Sequence, residues 1–199
     1  KIYYIRGGKL PKTSIFRKIS KIADLNVEIW KLNKIISRNS SNIEALKELG
    51  AIYHYIHEDR IAIRIYEKIL QIDPKDSDVR AYLGYLYYEI GNMQKSVEEL
   101  NSSLDLNPKN SFGYFLLGNS YSRLGLVKEA VRSYDMALLL GLDVYRAHMD
   151  FASKFEDMNR KHRALLEYKS AYEVGPKSRN LMLKIRELEL NAMPTKIRI

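Results

Sequence analysis

The chain has 199 residues, no cysteine and a formal net charge of +9, which is length enough to bury a core without covalent help. The missing thiol excludes a disulfide scaffold, a thiolate zinc site, an iron-sulfur cluster and a cysteine nucleophile. A composition 46% hydrophobic and 29% charged is that of an ordinary globular domain, and no apolar run approaches the ~20 residues of a membrane-spanning helix.

The chain opens on a basic arm, residues 1–11, which has no helical period and ends at Pro11. Residues 1–21 hold seven Lys and Arg and no acidic residue, so the other 178 carry only +2. That body is too balanced for the phosphate-tracking stripe of a nucleic-acid binder, and no nucleic-acid partner is expected. The arm reads first as a solvated tail whose deletion leaves the melting temperature nearly unchanged. Because the first residue is Lys rather than Met, membrane proximity through this N-terminal side is the alternative, with an anchor upstream and the arm near anionic lipid. Cytoplasm and bacterial envelope both stay open as compartments. Arg6-Gly7-Gly8-Lys9 has the glycines and lysine of a phosphate-binding loop without its earlier glycine or its following hydroxyl residue, and is set aside.

Residues 12–42 follow. Ile22, Leu25, Ile29, Leu32 and Ile36 recur at helical spacing through Trp30, predicting a helix over about 23–38 after a shorter one within 12–21.

From residue 43 the chain repeats every 34 residues, in blocks 43–76, 77–110, 111–144 and 145–178. The eighth place holds Gly50, Gly84, Gly118 and Ala152, and the eleventh Tyr53, Tyr87, Tyr121 and Phe155. The twentieth holds Ala62, Ser96, Ala130 and Ala164; the twenty-fourth, Tyr66, Leu100, Tyr134 and Tyr168; the thirty-second, Pro74, Pro108, Leu142 and Pro176. Two amphipathic stretches per block predict a helical hairpin, with Gly91 and Gly125 in the turns and a proline ending the second helix. Small residues at the eighth and twentieth places let the two helices approach closely. One hairpin cannot bury its apolar face alone, so neighbours must stack. Residues 12–42 fit the same register poorly, with Phe16 and Glu28 at the two small places. Residues 179–199 supply a capping helix, over 179–191, and a tail.

This pattern resembles the tetratricopeptide repeat family, although the Trp common at the fourth place is replaced by Leu46, Arg80, Tyr114 and His148. The resemblance implies an all-α fold, a right-handed solenoid of helical hairpins, and a protein-protein interaction module or assembly scaffold that binds a protein or peptide in its concave groove. The second reading is a membrane-anchored envelope assembly factor.

No catalytic constellation can be assembled. His54 and His57 stand three apart with Glu58 and Asp59 following, but no third ligand falls at a metal-binding offset. Asp73, Asp76 and Asp78 lack the glycine and closing Glu of a calcium loop and read as helix stops and N-caps. No enzyme activity, metal or cofactor is expected.

The resemblance further implies that five places of each first helix face the groove. Among their occupants, the candidate partner-binding residues are Lys47, His54, Tyr55, Tyr85, Tyr88, Phe112, Phe115, Asn119, Arg123, Arg146 and Met149. The central aromatics Tyr85, Tyr88, Phe112 and Phe115 coincide with none of the buried signature places, so they are expected to stand free as anchors. Some family members clamp acidic chaperone tails with Lys and Asn. Here Ala51 and Ala81 occupy clamp places and Glu89, Glu156 and Asp157 would repel such a tail, so an apolar or mixed peptide, or a helix, is expected instead.

Overall fold

The structure is a computed structural model that describes residues 14–192; the basic arm and the expectation for its deletion lie outside the described residues. The chain divides into two compact units, Lys1–Leu142 and Asp143–Ile199. Among the described residues every regular element is a helix. The first unit holds α1 (Ser14–Ile19), α2 (Leu25–Arg38), α3 (Ile43–Tyr55), α4 (Asp59–Ile72), α5 (Ser77–Glu89), α6 (Met93–Leu106), α7 (Ser111–Arg123) and α8 (Val127–Leu139). The second holds α9 (Val144–Asp157), α10 (Lys161–Val174) and α11 (Arg179–Ala192).

Hairpins form between α3 and α4, α5 and α6, α7 and α8, and α9 and α10, while α4 meets α5 and α6 meets α7 across neighbouring hairpins. The repeat is visible in the backbone. Asn42, Asp76 and Asn110 each accept a hydrogen bond from the backbone N–H three residues on, at 3.0, 2.9 and 2.9 Å, which opens α3, α5 and α7. Between the helices of each hairpin one residue takes a left-handed conformation: His57 at φ 70°, Gly91 at 85°, Gly125 at 74° and Asn159 at 54°. The next N–H then bonds back five residues, as from Asn92 to the Tyr87 carbonyl at 2.9 Å, so the helix ends in a Schellman turn. His57 is thus the turn residue of the first hairpin, where its neighbours use glycine.

Prolines close α4, α6 and α10, whose C-caps Asp73, Asn107 and Gly175 directly precede them. Leu142 replaces the proline of the third block, and there Gly141, at φ 81°, follows the end of α8.

The small places are the points of closest approach. A Cβ on Gly50 would sit 2.6 Å from the Tyr66 ring, on Gly84 2.7 Å from Leu100, and on Gly118 2.5 Å from the Tyr134 ring. Each neighbour occupies the twenty-fourth place of its own block, so the sequence pattern is a knob-and-socket pair. The hydroxyls of Ser96, at a small place, and Ser120 lie 2.8 Å apart, and Ser103 donates to the Ser77 carbonyl at 2.7 Å, so these buried serines are satisfied internally. The unorthodox fourth place is explained as well. Arg80 pairs with Glu99 at 3.0 Å and the His148 ring lies 2.8 Å from Glu167, both nineteen residues on, so polar side-chain contacts to a carboxylate join the two helices where an indole is usual.

Residues 14–38 are built differently. Both α1 and α2 rest on α3, with Ile19 and Leu32 buried beside Leu49 and Ile52 and with Ile22, Leu25, Ile29 and Ile36 around them. In the second unit α11 seats Leu181 and Leu188 while Leu183 and Leu190 stay 50% and 58% exposed.

Candidate functional site

The candidate groove residues fall on α3, α5 and α7 of the first unit and on α9 of the second, and the structure sorts them into several kinds. His54 is fully buried. Its Nδ1 lies 2.5 Å from Asp59 Oδ1, and the rings of Phe16, Tyr82 and Tyr85 surround it edge-on at 5.6, 6.0 and 5.9 Å. It ties α1, α3, α4 and α5 together and presents nothing to a groove.

Tyr85, Phe112 and Phe115 overturn the expectation that they stand free, since they are 4%, 3% and 5% exposed. Tyr85 packs on Tyr82 at 6.0 Å, Phe112 on Phe115 at 6.1 Å, and Phe115 on Tyr134 at 6.1 Å. Large rings at neighbouring places of stacked helices find one another and shed water, because burying apolar area outweighs keeping a ring exposed for a partner. Tyr55 is half-buried against the first core. Lys47 is engaged too: its ammonium reaches Asp76 at 2.9 Å and so joins α3 to the cap of α5. Burial acts on the Asp76 carboxyl in the upward direction, but the Lys47 ammonium and backbone N–H groups of Val79 and Asp78 outweigh it and hold the group below its usual range.

On α5 and α7 of the first unit a smaller, polar-aromatic cluster of candidates stays accessible. The guanidinium of exposed Arg123, at the end of α7, lies 5.1 Å over the ring of half-buried Tyr88 on α5. One turn back, Asn119 accepts the Tyr134 hydroxyl at 2.8 Å through its side-chain oxygen. Burial, and then the nearby Tyr88, push the Tyr134 phenol up against the opposing effect of Ser122, so it stays a donor at neutral pH. Exposed Ser122 completes the cluster. Tyr134 was missed as a member because its place reads as core; the signal that could have found it is its pairing with a small eighth-place residue one helix away.

On α9 of the second unit, exposed Arg146 pairs with Asp143 at 3.2 Å and Met149 is half-buried. Near the C-terminal end of α9 the Tyr168 hydroxyl donates to Glu156 at 2.6 Å, and Lys184 of α11 reaches the same carboxylate at 2.7 Å.

Two family models described as tetratricopeptide repeat match the chain, one over residues 62–117 and the other over 114–144. It carries tetratricopeptide repeats over residues 62–144. Solved structures agree on the fold of this repeat protein. One titled MamA protein is 22% identical with a TM-score of 0.57, covering 92% of this chain and 98% of that one. YrrB, titled a tetratricopeptide-repeat protein with an unusual peptide-binding site, is 16% identical with a TM-score of 0.54 over 80% and 82%. A thermophilic repeat protein of Thermus thermophilus is 19% identical with a TM-score of 0.56 over 89% and 98%. No curated protein sequence matches. Tetratricopeptide repeats generally serve as protein-protein interaction modules and are typically non-catalytic.

Proposed function

We propose that this repeat protein binds a peptide segment of a partner protein on the first unit, along the face where α5 and α7 present Tyr88, Asn119, Ser122 and Arg123. The observation that carries this is the Arg123 guanidinium resting on the Tyr88 ring while both remain accessible. A flat cation held on an aromatic face offers a peptide a stacking surface and a fork of donors in one fixed geometry, and such Tyr and Arg pairs are common interface anchors. Asn119 and Ser122 add short polar side chains that bond a peptide backbone. That YrrB is a repeat protein with a peptide-binding site supports the reading by analogy.

The test is a selection of random displayed peptides on the full chain, followed by titration of the enriched sequences. Arg123→Ala and Tyr88→Ala should each weaken the selected peptides about tenfold or more, with melting curves unchanged. Peptides that bind both variants as well as the wild type would remove this cluster as the site.

A further inference from the structure

Helix α2 has two faces of unlike use. Leu25, Ile29, Leu32 and Ile36 form the stripe that packs on the first core. At about 100° per residue, Val27, Trp30, Lys31, Lys34 and Arg38 come out on the opposite side, with Ile35 on its flank. Val27, Trp30 and Ile35 are 46%, 61% and 44% exposed, and the three basic side chains are exposed beside them. The Lys34 ammonium lies 5.0 Å over the Trp30 ring, and Lys31 makes an exposed pair with Glu28 at 3.2 Å.

This face lies in the region that holds nearly all the excess charge. From Lys1 to Arg38 ten basic residues stand against two acidic ones, a surplus of +8 within the chain's +9. The neighbouring helix α1 and its following turn add exposed Arg17, Lys18 and Lys21.

We propose that the outer face of α2 is a docking surface for an anionic lipid bilayer, on which the helix lies flat. The chemistry fits that occupant on three counts. An indole with an apolar body and one N–H settles at the boundary between headgroups and acyl chains. Lysine and arginine stems run along the same apolar boundary while their charged ends meet lipid phosphates. Branched Val27 and Ile35 gain free energy on entering acyl chains, whereas they contribute nothing to a nucleic-acid backbone, and this favours lipid over a polyanion read by charge and stacking alone. The surface is separate from the peptide cluster on α5 and α7, so the two proposals stand or fall independently.

The chain's single Trp makes the test direct, because emission excited selectively from indole reports Trp30 alone. The full chain is titrated with vesicles of phosphatidylcholine containing phosphatidylglycerol, with pure phosphatidylcholine vesicles, and with a single-stranded oligonucleotide. The expected result is a blue shift and quenching by brominated lipid with the anionic vesicles only, weakened by salt. The triple variant Lys31→Gln, Lys34→Gln, Arg38→Gln should bind those vesicles about a hundredfold more weakly. Trp30→Ala, followed by vesicle sedimentation, should also weaken binding; both variants should melt as the wild type does. The proposal is overturned by an unshifted Trp30 on anionic vesicles, by an equal shift on neutral ones, by a shift with the oligonucleotide instead, or by variants that keep wild-type affinity.

Discussion

In the hairpin of α7 and α8 the two helices come so close that a single added carbon on Gly118 would lie 2.5 Å from the Tyr134 ring. At the equivalent place of the N-terminal register stands Phe16, buried edge-on against His54 at 5.6 Å, and the other small place is taken by Glu28, which pairs with Lys31 in solvent. The first arrangement makes a closely packed hairpin whose rings turn inward. In the second, α1 and α2 lean on α3, and one face of α2 is left outside with Trp30 on it. The comparison teaches that side-chain size at two places decides whether a pair of amphipathic helices closes on itself. It also decides where aromatic surface stays available to a partner.

The largest effect that bears on this contrast is at the aromatics. Phe115→Ala should cost about 3–5 kcal/mol, because a buried ring leaves a cavity, whereas Trp30→Ala should cost under about 0.5 kcal/mol. Chemical denaturation of both variants checks it, and equal losses would erase the distinction between the two regions. Next, Gly118→Leu should cost about 3 kcal/mol by overpacking against Tyr134, lowering Tm by on the order of 10 °C. Glu28→Leu, at a small place of the N-terminal register, should change Tm by little; a fall like that of Gly118→Leu would mean that α1 and α2 pack as tightly as a true hairpin.

A smaller effect separates turn conformation from packing. Gly125 has a φ of 74° and nothing within 4 Å of its would-be Cβ, so Gly125→Ala should cost only the left-handed penalty, about 1 kcal/mol, read as a shift in denaturation midpoint.

The smallest concerns the Lys47–Asp76 tie. The folded Asp76 carboxyl is held below its usual range, so its contribution is present above the unfolded value near pH ~4 and is lost as pH falls through the lowered folded value. Asp76→Asn keeps the N-cap and removes the charge. Because the pair is partly exposed, the wild type should exceed the variant by about 0.5–1 kcal/mol at pH 7, and the difference should shrink and vanish as pH falls through the lowered folded value, in stability curves run at each pH. A gap that persists in acid would mean the pair does not join α3 to α5 electrostatically.

Much of the architecture could be read from residues alone. Asp76 caps α5, the prolines after Asp73, Asn107 and Gly175 end their helices, and the small eighth-place residues meet the twenty-fourth-place side chains, because these are local or fixed-offset requirements of a hairpin. The candidate site was less legible. Places that face a groove in the family hold Tyr85, Phe112 and Phe115, and no local pattern distinguishes an aromatic kept for a partner from one covered by its neighbours. Of that strip the structure leaves Tyr88 half-buried and joins it to Arg123, two residues from adjacent hairpins.

The sequence by itself determined the period, the helices and their ends, since backbone capping, left-handed turns and the proline stop act within a few residues of one another. Its charge count likewise located the surplus at the N-terminal side. Only the tertiary structure decided which chemistry is buried: that His54 serves the core with Asp59, that Arg80 and His148 replace an indole by pairing with Glu99 and Glu167, and that Trp30 faces out. Those outcomes depend on which side chains from separate helices meet, and a linear pattern specifies the face of a helix but not what another hairpin brings against it.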